Sequence, residues 1–300
     1  MSSHHRVKFH SSRRRRSDAF LRSAVAEALE RRRLLSTFTV TTLVDSGAGT
    51  LRQAIIDADA AGGTDIINFA SGLTGTVDLA STLPNLTANI TINGFGAGLL
   101  TVNGHGHGTV FSVNSGVTAQ IQNLAITGGI AASGGGIANH GTLTLANSTI
   151  SGNSASDAGG GIFNDRNHTL TITNSTVSGN FASYLGGGIN NDGLLTITNS
   201  TVSANSCPNG GGILNNATVT VNNSTISGNT AEFHGGGIDN GGSTAVGLIL
   251  PLSVSSPNPS APQVTRLTTG PSPPAAGMPS SRSTVALDDH EGNCRSGGRH

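Results

Sequence analysis

Residues 134 to 153 read GGGIANHGTLTLANSTISGN. The block returns as GGGIFNDRNHTLTITNSTVSGN from Gly159, GGGINNDGLLTITNSTVSAN from Gly186 and GGGILNNATVTVNNSTISGN from Gly210, and a fifth copy opens at Gly235 as GGGIDN before it dissolves. The isoleucines of these openings, Ile137, Ile162, Ile189, Ile213 and Ile238, are 25, 27, 24 and 25 residues apart. A fixed period of this length marks a stacked-repeat fold, in which each unit buries its apolar edge against the next.

The content of the unit decides which stacked fold. A leucine-rich repeat would carry a Leu-x-x-Leu-x-Leu signature and often a helix, and no helical stripe is present; a propeller blade needs about 40 residues. Leu143 and Leu145 recur as Leu170 and Ile172, Leu195 and Ile197, and Val219 and Val221, each pair alternating with threonine or another polar residue at strand period. Ile150, Val177, Val202 and Ile226 make another apolar column. Three short strands per coil are therefore expected, at GGGI-x-N, at the LTLTN-like stretch and at STIS. The expected fold is all-β: a right-handed parallel β-helix, a solenoid of about 25 residues per coil. About seven coils over residues 73–246, each advancing roughly 4.8 Å, would make a rod on the order of 30 Å long. The glycines allow positive φ and close backbone approach at the corner. Asn153, Asn180, Asn205 and Asn229 are expected to close the SGN or SAN turns in the left-handed conformation and to hydrogen-bond from coil to coil.

Composition agrees with such a thin, ladder-built molecule. Glycine contributes 43 of 300 residues, aromatics 3% and charged residues 11%, too few large side chains for a many-layered core. The formal net charge of zero hides an asymmetry: ten of the sixteen Lys and Arg precede residue 34, and from Gln53 to Gly242 the only basic residue is Arg166. That neutral stretch has no electrostatic footprint for nucleic acid. Cys207 and Cys294 are the only cysteines, which excludes a disulfide framework and a Cys-rich metal site. No apolar run approaches the length of a transmembrane helix.

Flanking segments divide the chain further. Residues 1–36 form a basic leader, either solvated or a short amphipathic helix over Asp18 to Leu35, with export or surface sorting as its functional reading. Residues 37–72 form an amino-terminal cap: a strand of β-branched residues, then a helix near 50–61 with Thr50 as N-cap, Leu51, Ala54, Ile55 and Ala58 as apolar stripe and Gly62-Gly63 as stop. Arg52 is expected to pair with Asp57 or Asp59. Residues 247–300 hold eight of the ten prolines and are expected to be a disordered tail, produced either as a linker or by a change of reading frame. An uncapped last coil would expose a sheet edge and favour self-association.

Leu51-Arg52-Gln53-Ala54-Ile55, with Asp45-Ser46-Gly47 before it and Ile66-Ile67-Asn68-Phe69 after it, resembles the Cys-Ser-Leu-Arg-Glu-Ala-Ile motif of bacterial β-helix surface proteins. Gly49 and Thr50 stand at the Cys and Ser positions, and Gln53 replaces Glu. The repeats are also similar to those of polymorphic outer-membrane proteins and adhesins with GGA-Ile motifs, although Gly replaces Ala here, Phe-x-x-Asn is absent and no carboxyl-terminal barrel follows. The resemblance implies a secreted, cell-surface or outer-membrane protein contacting glycans or proteins.

Parallel β-helices also carry pectin lyase-like enzymes whose carboxylates project from successive coils. Three residues after the GGGI isoleucines stand His140, Asp165, Asp192, Asn216 and Gly241. In register, Asp165 and Asp192 would lie roughly 5 Å apart, with His140 one rung away and Arg166 adjacent. Such a pair suits sugar hydrolysis or lyase chemistry, or a divalent cation such as Ca2+; turn residues stacked by the repeat are the simpler reading. The loop Gly104 to His107, GHGH, offers two further metal donors without a third. Asn147, Asn174, Asn199 and Asn223 begin Asn-Ser-Thr sequons whose recurrence at the repeat period favours a structural ladder. The favoured function is adhesive, structural or glycan-contacting without turnover; the alternative is a polysaccharide lyase or glycoside hydrolase using the stacked aspartates.

Overall fold

A computed structural model describes residues 35–241, together with the backbone of the strands Val246–Ser255 and Val264–Thr265. The basic leader before residue 35 and Cys294 lie outside the described residues.

The chain winds into an all-parallel solenoid of about 8 coils, capped by one short helix. Strands of successive coils pair residue for residue: Thr142–Ala146 on Thr169–Thr173, and that on Leu194–Thr198. The GGGI strands pair as Ile137↔Ile162↔Ile189↔Ile213↔Ile238. Like therefore stacks on like. The columns Leu143–Leu170–Leu195–Val219, Leu145–Ile172–Ile197–Val221 and Ile150–Val177–Val202–Ile226 fill the interior. Each buried aliphatic side chain is worth about 1.5–3 kcal/mol.

A coil has four strands, not three. The additional sheet is built from Ile130–Ser133, Ser154–Ala158, Phe181–Ala182, Ser206–Asn209 and Thr230–His234. Its inward column is small, Ala155, Ala182, Cys207 and Ala231, so its segments lack the alternating aliphatics that reveal the other strands. Parallel pairing also runs past residue 246: Val246–Ser255 lies on Thr218–Ser227, and Pro251 falls where the register shifts, a position that makes no regular ladder bond.

Polar residues stack inside as well. Asn139, Asn164, Asn191, Asn215 and Asn240 form a buried amide ladder, each Nδ2 donating to the next Oδ1 at 2.7 Å. Asn153, Asn180, Asn205 and Asn229 form a second, with Nδ2···Oδ1 distances of 3.0, 3.0 and 2.9 Å. These four asparagines are buried and not left-handed, contrary to the expectation from sequence. Positive φ falls on the residue before each of them: Gly152 (63°), Gly179 (63°), Ala204 (54°) and Gly228 (62°). In the Asn-Ser-Thr triplets the asparagine takes the left-handed turn, with φ of 49° at Asn147 and Asn174, while the serine makes the ladder: Ser148 N–H donates to Ser175 Oγ at 3.1 Å.

The triple glycine serves three purposes. Gly186 has φ of 62°. A Cβ on Gly187 would lie 2.5 Å from Ser206 O and 2.6 Å from Gly211 O, and one on Gly188 would meet Gly212 O at 2.5 Å and Asn205 Nδ2 at 2.9 Å. The third glycine, where the similar repeats have alanine, thus lies against the second asparagine ladder.

At the amino end, helix α1 (Leu51–Ala61) closes the first coil with buried Leu51, Ala54, Ile55 and Ala58, and Thr50 Oγ1 accepts the Gln53 N–H at 3.1 Å. Arg52 pairs with Asp45 (2.7 Å) and donates to Ser81 O and Thr82 O, rather than engaging Asp57 or Asp59. Asp59 instead accepts the Thr87 and Ala88 N–H groups, and Asp57 the Gln53 amide. The Leu-Arg-x-Ala-Ile stretch is therefore a lid with one staple.

Two stability predictions follow from these ladders. Asn180→Ala strands the Asn153 N–H and removes one of the acceptors of Asn153 Nδ2, which keeps Ile126 O and Ser151 O, and costs about 2–3 kcal/mol in urea unfolding. Ala204→Gly relieves the one left-handed alanine at this turn and raises stability by about 0.5–1 kcal/mol in the same assay.

Candidate functional site

The turn after each GGGI-x-N strand presents one variable residue per coil. Because Asn139, Asn164, Asn191 and Asn215 are in register, the next residues, His140, Asp165, Asp192 and Asn216, form one column. Their backbones are tied down alike: Asp165 N–H donates to Asn139 O at 3.0 Å and Asp192 N–H to Asn164 O at 2.8 Å.

The side chains divide this column into two couples. His140 Nδ1 lies 2.8 Å from Asp165 Oδ2, while Asp192 Oδ1 accepts Asn216 Nδ2 at 2.7 Å. The two aspartates occupy adjacent rungs, as expected from the spacing, but each is engaged with the neighbour on its far side. Arg166 is exposed and directs only its backbone N–H to Asp165 Oδ1, at 2.7 Å. His168 adds an imidazole edge-on to His140 at 6.4 Å between ring centroids. Its Nδ1 is buried without a partner. Burial pushes the Asp165 carboxyl upward, but the hydrogen bond from His140, the Arg166 N–H and the positive potential of His140 and His168 outweigh it and hold the group below its usual range. At 39% and 38% side-chain exposure, the His140–Asp165 pair is largely screened by water.

Among the described residues no group of three or more His, Cys, Asp or Glu gathers closely enough to hold a metal ion. His105 and His107 of the GHGH loop stack at 6.5 Å and face solvent. Cys207 sits in the small-residue column; burial lifts its thiol to about 11, against the Asn209 N–H and with help from Asp239, so it is a packing group. Burial also raises Asp239, opposed by His234.

Sequence reasoning missed a second variable surface, the additional sheet. Ala158 and Leu185 pair, Leu185 with Asn209, and Asn209 with His234. The residues immediately before them, Asp157, Tyr184, Pro208 and Phe233, consequently form an outward column on successive coils. Tyr184 is 62% exposed and Phe233 57%, about 10 Å apart across two rungs. Phe181 and Ile130 are exposed on the same sheet. The signal available in the sequence was compositional: the chain's only tyrosine and one of its nine phenylalanines occur at matching places in a repeat otherwise free of aromatics there.

A parallel solenoid with dry aliphatic columns and polar ladders defines the class of protein. The family described as "Right handed beta helix region" matches residues 85–249, and the chain belongs to that family. No curated protein matches the chain. No described helix is long and apolar enough to cross a membrane.

The depressed Asp165 pKa fixes the sign of a pH effect. The carboxylate's contribution is present above the unfolded-state value of about 3.9 and is lost as pH falls through the lower folded-state value. The small stability gap between wild type and Asp165→Asn in urea unfolding should therefore close in acid.

Proposed function

We propose that this protein is a secreted or cell-surface β-helix that binds carbohydrate on its additional sheet without turning it over. The observation that carries this reading is the column Tyr184–Pro208–Phe233, two exposed rings with a half-buried proline between them, joined by exposed Phe181, in a chain with 3% aromatic residues. An aromatic face left in water at this density is an interaction surface, and the C–H faces of pyranose rings stack on such side chains. Asp157 and Glu232 flank the column and can accept sugar hydroxyls. The rigid coil spacing would present successive contacts to a polymer with a regular repeat, giving weak multivalent attachment.

Two further features support a binding role. Asp165 and Asp192 are each satisfied by a different neighbour. A concavity beside the amino-terminal cap is lined by Thr41 to Val44, Leu73, Thr76 and Asp78, none of them a member of the His140 column. The bacterial surface setting and adhesin kinship belong to this proposal. A lyase or hydrolase reading draws on one observation, the His140–Asp165 contact, which can orient an imidazole as a general base.

Tyr184 is the only tyrosine and tryptophan is absent, so intrinsic tyrosine fluorescence reports on this surface alone. Titration with a panel of soluble polysaccharides should give a saturable change with at least one of them, weakened about tenfold or more by Phe233→Ala. No reducing ends or unsaturated products should accumulate. Turnover that disappears in Asp165→Asn would replace this reading with the enzymatic one, and absence of binding across the panel would remove the carbohydrate assignment.

A further inference from the structure

One inward column contains a residue of the wrong kind. Register places Asp65 beneath Ile90, and then Ala119, Leu143, Leu170, Leu195 and Val219 in turn. Every later member is aliphatic, whereas the first is a carboxylic acid, and Asp65 is 0% exposed. Its Oδ1 accepts the Ser36 backbone N–H at 2.9 Å. Its Oδ2 is buried with no hydrogen-bond partner, and no ion pair reaches it among the described residues. The two arginines in the described segment are engaged or distant: Arg52 is held by Asp45, and Arg166 lies in the coils beyond.

A buried carboxylate with one oxygen unmatched is a costly replacement for an aliphatic side chain. Capping a single N–H does not account for it, since a neutral acceptor would do that without the charge. The position of Ser36 suggests what would. Thr37 pairs with Ile66, and Ile66 N–H donates to Ser36 O at 2.9 Å, so the Ser36 nitrogen is fixed at the open end of the column beside Asp65. If that nitrogen were an amine rather than an amide, it would bring a positive charge and additional donors to the carboxylate. The bond that would have to be cut is accessible, because Leu35 is 61% exposed.

We propose that Ser36 is the amino-terminal residue of the functional protein, released by hydrolysis of the Leu35–Ser36 peptide bond, and that its α-ammonium is the partner of Asp65. Water adds across the bond, leaving a carboxylate on Leu35 and an ammonium on Ser36; a processing endopeptidase of the producing cell supplies the catalysis. Until the leader is removed Asp65 Oδ2 would stay without a partner, and maturation would lock the amino-terminal cap.

The experiment uses the full chain with a site-specific protease's recognition sequence placed immediately before Ser36, melted before and after cleavage at neutral pH. The expected result is a rise in Tm of roughly 5 °C on cleavage, and no rise when the same recognition sequence is moved upstream so that several residues still precede Ser36. Asp65→Asn should abolish the rise. Asp65→Leu restores the aliphatic column and protects against a failure of the Asn variant to fold; it should be insensitive to cleavage. Amino-terminal sequencing of the protein recovered from its native cells should begin at Ser36. An unchanged Tm on cleavage, a rise that persists in Asp65→Leu, or a native chain beginning elsewhere would overturn the proposal.

Discussion

The structure depends on one constraint: a buried amide in a solenoid must find its partner in the same residue one coil away. Asn164 is satisfied because Asn191 follows it on the next rung and Asn139 precedes it. The same holds for Asn180 between Asn153 and Asn205. Any coil that departs from the pattern leaves two neighbours with unmatched donors or acceptors in a water-free interior. This reciprocity explains why GGGI-x-N and Ser-Gly-Asn recur almost unchanged while the residues between them drift. It also holds the register, since a slip of one residue would put threonines inside and aliphatics outside.

The scaffold therefore leaves few positions free to carry function, and they are confined to two places. One is the turn after each GGGI strand, where His140, Asp165, Asp192 and Asn216 vary but pair among themselves. The other is the additional sheet, whose inward column needs only small side chains and whose outward positions are unconstrained. Tyr184, Pro208 and Phe233 lie there because nothing in the ladder logic forbids a large ring facing water. Chemistry is thus separated from stability: the residues that specify the fold point inward, and those available to a partner stand on the opposite side of the same strands.

The amino-terminal end shows the same logic under stress. Helix α1 covers the first aliphatic cross-section, and Arg52 fastens it to Asp45 and to the loop carrying Ser81 and Thr82. Asp65, in contrast, occupies an aliphatic position of the first coil and is only half satisfied. In a fold this regular, such a departure stands out because six residues of the same column give the expected kind of side chain.

By itself the sequence determined the parallel β-solenoid, its period, its right hand, its cap helix and its three aliphatic columns, because each rests on a repeat of hydrophobic residues that must stack to be buried. It also placed His140, Asp165, Asp192 and Asn216 in one column, since register follows from the count of residues between isoleucines. Only the tertiary structure decided how that column pairs, because side-chain rotamers choose between the coil above and the coil below. The additional strand was invisible for a related reason: Ala155, Ala182, Cys207 and Ala231 bury too little apolar surface to leave a periodic trace. The left-handed turns fell on Gly152, Gly179, Ala204 and Gly228 instead of the asparagines after them because the buried amides had to point inward. The sequence supplied the list of residues that repeat, and three-dimensional pairing decided which of them face each other.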